Sequence, residues 1–151
     1  MEARMKHPVY VVPAALKALH ALGEAVKGTG LPEQTIELVN LRASQINGCA
    51  WCLHMHAAAL RKAGEPDDRI DTVAGWRDAP FFSDAERAAL ALTEAVTRVA
   101  DQGDPVTDEV FGEAARHYDE TQLAALLLAI GQINVWNRLN VATHHVAGVY
   151  Q

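Results

Sequence analysis

Cys49, Cys52 and His56 stand at i, i+3 and i+7, a spacing that places two sulfurs and an imidazole on one face of a helix. That trio suits three chemistries: a redox dithiol, a metal site, or sulfurs turned inward for packing. If the helix begins near Cys49, its unpaired backbone N–H groups and the positive end of its dipole lie beside the thiols and favour the thiolate, the reactive form. An imidazole one turn beyond Cys52 is placed to accept or relay the proton, so His56 is the candidate base. A zinc site needs four ligands, and Cys49, Cys52 and His56 supply three in a chain with only 2 cysteines. His54 points about 160° away from His56 on a helix that advances ~100° per residue, a poor position for a fourth ligand. Packing stays open, because cysteine is among the most buried residue types.

A carboxylate would complete the constellation by fixing the imidazole's tautomer and stabilising its charged form. The preceding helix offers Glu37. Asn47 and Gly48 form the break between the two helices, and in an antiparallel hairpin Glu37 lies eleven residues before Gly48 while His56 lies eight after it. The axial offset is roughly 4.5 Å at a rise of 1.5 Å per residue, so the two side chains can meet directly or through water. Glu37 could equally be a solvated helix residue. Trp51, between the cysteines, either walls the site or packs.

The elements that must position these residues read as helices. Apolar residues recur helically from Ala14 until the glycines at 28 and 30, giving helix one. Pro32 opens helix two, in which Ile36, Val39, Ala43 and Ile46 share a face, and Gly64 ends helix three. Residues 65–75 read as a short fourth helix, and Ser83 with Glu86 as the capping box of a fifth. Thr107 caps a sixth through His117, and Asp119 or Thr121 opens a seventh through about His145, where His144 and His145 suit the negative end of the dipole. Val9–Val12, bracketed by Pro8 and Pro13, reads as an extended arm. The expectation is an all-α fold of about seven helices in one domain over residues 1–151, with the hairpin of helices two and three carrying the site.

Composition narrows the function. The formal charge is −6 and the thirteen Lys and Arg residues are scattered, which argues against nucleic acid or anionic membrane as a partner. The amino terminus lacks an apolar leader, and the longest apolar run, 123–131, is too short to span a bilayer. A cytoplasmic protein is expected, and in that reducing compartment a close cysteine pair is not a structural disulfide framework. The last helix is apolar on most faces, and Gly131 within it permits close approach of another helix, either in the core or between subunits.

Glu37, Cys49, Cys52 and His56, together with the segments 37–56, 63–70, 76–97 and 133–145, resemble the carboxymuconolactone decarboxylase superfamily and, within it, the alkylhydroperoxidase D-like proteins. The resemblance covers nearly the whole chain. It implies an all-α subunit in a homotrimer or homohexamer, no bound cofactor or metal, and thiol-dependent reduction of hydroperoxides in antioxidant defence. By position, Cys52 would be the peroxidatic thiol, Cys49 the resolving thiol, and His56 with Glu37 the proton relay. The implied partners are a small-molecule hydroperoxide and an external dithiol donor, either a lipoyl protein or a thioredoxin-like one. The superfamily's well-studied peroxidase has a histidine where this chain has Trp51, so one potential relay member is missing. The decarboxylases lack the cysteine pair, which disfavours decarboxylation. The alternative from another class is a non-catalytic redox switch or stress-responsive binding protein of the same fold.

Overall fold

In the computed structural model, which describes residues 1–149, the chain is all-α. Its helices are α1 (Pro8–Val11), α2 (Pro13–Val26), α3 (Glu33–Asn47), α4 (Ala50–Lys62), α5 (Asp67–Asp71), α6 (Asp84–Thr97), α7 (Asp108–His117) and α8 (Glu120–Thr143), with a 3₁₀ turn at Val73–Gly75. The expected seven helices are all present. Two differences from expectation have local causes. Residues 9–12 do not form an extended arm: Pro8, with its fixed φ, starts a single helical turn, and the His7 side chain accepts the Val9 N–H as its cap. The fourth helix divides into α5 and the 3₁₀ turn around Thr72.

Local capping sets the long helices. Ser83 with Glu86 and Asp119 with Gln122 each form a reciprocal capping box, and the Thr107 hydroxyl accepts the Val110 N–H. α8 ends at Thr143, because His144 adopts a left-handed conformation at φ 52°.

α3 is the central element and packs against α4, α6 and α8. Successive sides of it feed three apolar clusters. Leu38 and Leu41 join Leu60, Val73, Trp76 and Leu90, while Val39 joins Leu92, Leu126 and Ile130. Ala43 joins the two cysteines and Ile133. Burying side chains of this size contributes about 1.5–3 kcal/mol each before the entropy cost of ordering them. The third cluster sits at the α3–α4 turn, so the sulfurs are part of the core rather than an appendage to it.

Two ion-pair networks tie the periphery to this frame. Glu94 accepts hydrogen bonds from Arg42 Nε (2.8 Å), Trp76 Nε1 (2.9 Å) and Arg77 Nη1 (2.7 Å). Burial pushes its carboxyl up, but these three donors outweigh burial and hold it below the ordinary value. Glu86, paired with Arg69 at 2.7 Å and with its own cap, is shifted down by the same balance.

Candidate functional site

The hairpin turn is built by Gly48, which takes φ 67° and lets Cys49 N–H return to Ser44 O at 3.1 Å. The chain then enters α4 with Cys49 as its N-cap: Cys49 Sγ accepts the Cys52 N–H at 3.3 Å. Cys49 and Cys52 are joined as a disulfide with Cα atoms 5.3 Å apart. Each residue is 1% exposed.

The structure brings all four sequence-derived candidates together. One turn beyond Cys52, His56 Nδ1 lies 2.7 Å from Glu37 Oε2 across the hairpin. A carboxylate only accepts, so Nδ1 carries the hydrogen and Nε2 of the neutral ring is left with its lone pair. That Nε2 is buried and has no hydrogen-bond partner among the described residues. His54, on the opposite side of α4, is exposed.

Cys52 and His56 line a cavity of about 300 Å³. Its walls are otherwise mostly apolar and aromatic: Tyr10, Leu16, Trp51, Met55, Ile133 and Trp136. Trp51 both walls the cavity and packs: its Nε1 donates to Val149 O at 3.2 Å, and its ring lies 5.5 Å from that of His145. His145 in turn meets His7 at 5.2 Å. Burial pushes the His7 imidazole below its ordinary value, His145 pushes the same way, and the Asn140 side chain opposes both. Burial lowers His145 as well. The two histidine rings, one before α1 and one after α8, thus meet in surroundings that favour their neutral state.

One contact to sulfur lies outside the sequence reading. Asn140 Nδ2 donates to Cys52 Sγ at 3.2 Å from α8, 88 residues away in sequence. A signal for it exists in retrospect: Asn134, Asn137 and Asn140 recur at three-residue spacing in an otherwise apolar helix. Gly131, by contrast, is exposed, and among the described residues nothing lies within 4 Å of where its Cβ would be, so none of the described helices uses the close approach it permits.

A cysteine pair at disulfide distance, with an oriented imidazole beside it, supports thiol-based redox chemistry. Comparison with known proteins adds the family and the fold. The model of the carboxymuconolactone decarboxylase family matches residues 13–95. The uncharacterised protein YdfG of Bacillus subtilis is 38% identical over 132 residues, covering 87% of this chain and 88% of that one. YnjA of Escherichia coli, also uncharacterised, is 33% identical over 70% of this chain and 56% of its own length. A crystal structure of an Agrobacterium tumefaciens protein of unknown function, for which an AhpD role in antioxidant defence has been suggested, superposes with a TM-score of 0.89. It is 35% identical and covers 99% of this chain and 100% of its own. The debrominase Bmp8 shares the fold at a TM-score of 0.82 and 20% identity, over 93% of this chain and 75% of its own.

Proposed function

The chain belongs to the carboxymuconolactone decarboxylase family, and on that premise we propose that it is a thiol-dependent alkylhydroperoxidase cycling Cys49 and Cys52 between dithiol and disulfide. The observation that carries this reading is the His56 imidazole, held by Glu37 at 2.7 Å with an unpartnered Nε2 beside the cavity that Cys52 lines. In the reduced enzyme His56 Nε2 takes the Cys52 proton, and Glu37 stabilises the imidazolium. The Cys52 thiolate attacks the distal peroxide oxygen: an S–O bond forms, the O–O bond breaks, and the alkoxide leaves as alcohol with the proton from His56. Cys49 thiolate then attacks the Cys52 sulfenic acid, forming the S–S bond and releasing hydroxide, protonated to water. Two thiols lose two electrons and one hydroperoxide gains them.

The occupied states follow from the cavity and the burial. Among the described residues the lining contains no Lys, Arg, Asp or Glu, which favours neutral organic hydroperoxides. An external dithiol resets the enzyme by two thiol–disulfide exchanges. With both cysteines 1% exposed, a slender lipoyl arm fits the approach better than the face of a thioredoxin-like protein. A homotrimer or homohexamer is the proposed assembly, and α8 offers a surface for it: Leu128 and Val135 are 48% and 41% exposed, with open Gly131 on the same face. Light scattering should report three or six subunits, and Gly131→Arg should shift the mass downward.

The same burial favours a second reading, a redox switch in which the disulfide alters contacts without turnover. Stoichiometry separates the two. Reduced protein should lose two titratable thiols per hydroperoxide and, with dihydrolipoamide present, consume many equivalents per subunit. Cys52→Ser should abolish this consumption. A wild type that stops after one equivalent would establish the switch, and full turnover by Cys52→Ser would overturn the peroxidatic assignment.

A further inference from the structure

Three asparagines on α8 face the α3–α4 hairpin, and two of them have the partners expected of buried amides. Asn47 Nδ2 donates to Asn134 Oδ1 (3.0 Å) and to Asn137 Oδ1 (2.9 Å). Asn137 Nδ2 donates to Ser44 Oγ at 3.0 Å, and Ser44 Oγ to Asn40 O at 2.7 Å. These bonds lock the register of α8 on the hairpin at the residues that build the Gly48 turn. Asn140 is the third member, 4% exposed, and its amide is delivered not to oxygen but to Cys52 Sγ at 3.2 Å.

That pairing is economical in only one charge state. A neutral sulfur is a weak acceptor, so a buried amide donor facing it recovers little of its lost hydration. A thiolate is a charged acceptor, and hydrogen bonds to charged groups are roughly twice as strong. The two sulfurs are also addressed differently. Cys49 Sγ receives the backbone N–H of Cys52, the ordinary N-cap bond, whereas Cys52 Sγ receives a side-chain donor and stands in the cavity wall. Asn140 lies outside the family-matched residues 13–95, so this donor is supplied by the part of the chain the family model does not describe.

Resting on the dithiol reading above, we propose that Asn140 is a catalytic hydrogen-bond donor that holds Cys52 as the thiolate. In the oxidative half of the cycle it raises the population of attacking thiolate near neutral pH. In the reductive half, when a donor thiolate attacks Cys49 Sγ, the new S–S bond forms as the old one breaks, and the electron pair leaves on Cys52 Sγ, where Asn140 receives it. A lower thiol pKa costs some nucleophilicity, so the gain in peroxide attack is smaller than the gain in thiolate, whereas leaving-group ability improves outright.

The test measures the thiolate itself. In a Cys49→Ser background, the pH dependence of iodoacetamide alkylation gives the midpoint of Cys52, and Asn140→Leu should raise it by about one to two units. Asn140→Asp keeps the size of the side chain, removes the donor and adds a like charge, so it should raise the midpoint further; it serves where leucine loosens the packing of α8. With both cysteines present, Asn140→Leu should lose several-fold in peroxide kcat/KM at pH 7 and recover as pH rises past the new midpoint, which a merely structural defect would not do. Midpoints within about 0.3 units of the parent in both variants would overturn the proposal. Alkylation needs no peroxide, so that failure is distinct from a wild type with the expected midpoint and no turnover, which would sink the peroxidase reading instead.

Discussion

Glu37→Gln tests the proton relay with the least disturbance, because it keeps the shape of the side chain and removes only its charge. In the wild type Oε2 stands 2.7 Å from His56 Nδ1, inside the range of charge-assisted N–H···O bonds. Glutamine presents either an oxygen or an amino group to the ring. With oxygen inward the tautomer survives, but the imidazolium formed on deprotonating Cys52 loses its counter-charge. With the amino group inward Nδ1 becomes the acceptor, the hydrogen moves to Nε2, and the base is lost. A hydrogen bond to a charged partner contributes about 1.5–3 kcal/mol. The Glu37 side chain is 30% exposed, so water replaces part of the lost interaction and the lower end applies, about 1.5 kcal/mol or roughly tenfold in kcat/KM. Stopped-flow reaction of reduced protein with cumene hydroperoxide, followed by the fluorescence of the cavity tryptophans Trp51 and Trp136, reads the thiol-oxidation step directly. A folded Glu37→Gln variant within about twofold of wild type would refute the relay, since twofold is only ~0.4 kcal/mol.

Other consequences concern the frame. Glu94→Gln should destabilise the protein by about 3 kcal/mol in urea titration, because Arg42, 12% exposed at its side chain, is left without its carboxylate. Glu94 and Glu86 both ionise below their ordinary value of 4.5 in the folded chain, so the stability they contribute is present above that value and is lost as pH falls through their folded pKa. The thermal midpoint should therefore fall steeply below about pH 4.5, and less steeply in Glu94→Gln; a flat acid limb in the wild type would contradict this. Gly48→Ala meets no neighbouring atom but is forced to φ 67°, so calorimetry should show a loss of about 1–2 kcal/mol with the disulfide still able to form.

Legibility followed sequence distance. The starts of α6, α7 and α8 were readable because a cap is a contact between residues three apart: Ser83 with Glu86, Thr107 with Val110, Asp119 with Gln122. The one-turn helix at Pro8 was not, because four residues show no period and flanking prolines suit an extended arm as well as a first turn. Glu37 meeting His56 was legible from counting, since a two-residue break leaves a helical hairpin little freedom in register. Asn140 was not, because its partner lies 88 residues away and nothing in the local pattern separates a donor to sulfur from an ordinary buried amide. Trp51 marks the same limit: its identity alone left walling and packing open, and it does both through His145 and Val149 at the far end of the chain.

The division between hairpin and surroundings has a mechanistic meaning. Glu37, Cys49, Cys52 and His56 all lie within residues 13–95, on two helices joined by one turn, so their mutual geometry depends on Gly48 and little else. The cavity that Cys52 lines is walled in part by the same segment, through Leu16, Trp51 and Met55, and in part from outside it, by Tyr10 from α1 and by Ile133 and Trp136 from α8, while Asn140 of α8 donates to Cys52. α8 cannot shift without breaking the bonds among Asn47, Asn134, Asn137 and Ser44, and of these residues Asn137 and Ser44 are fully buried. A buried amide that loses its partner costs about 1–3 kcal/mol, so the ladder resists a change of register strongly. Substitutions in the cavity wall can therefore alter which hydroperoxide is accommodated while the dithiol and its relay stay in place, and substitutions in the ladder move wall and sulfur donor together. On the proposed reading the hairpin carries the thiol chemistry, while α8 supplies part of the cavity wall and the Asn140 donor to Cys52.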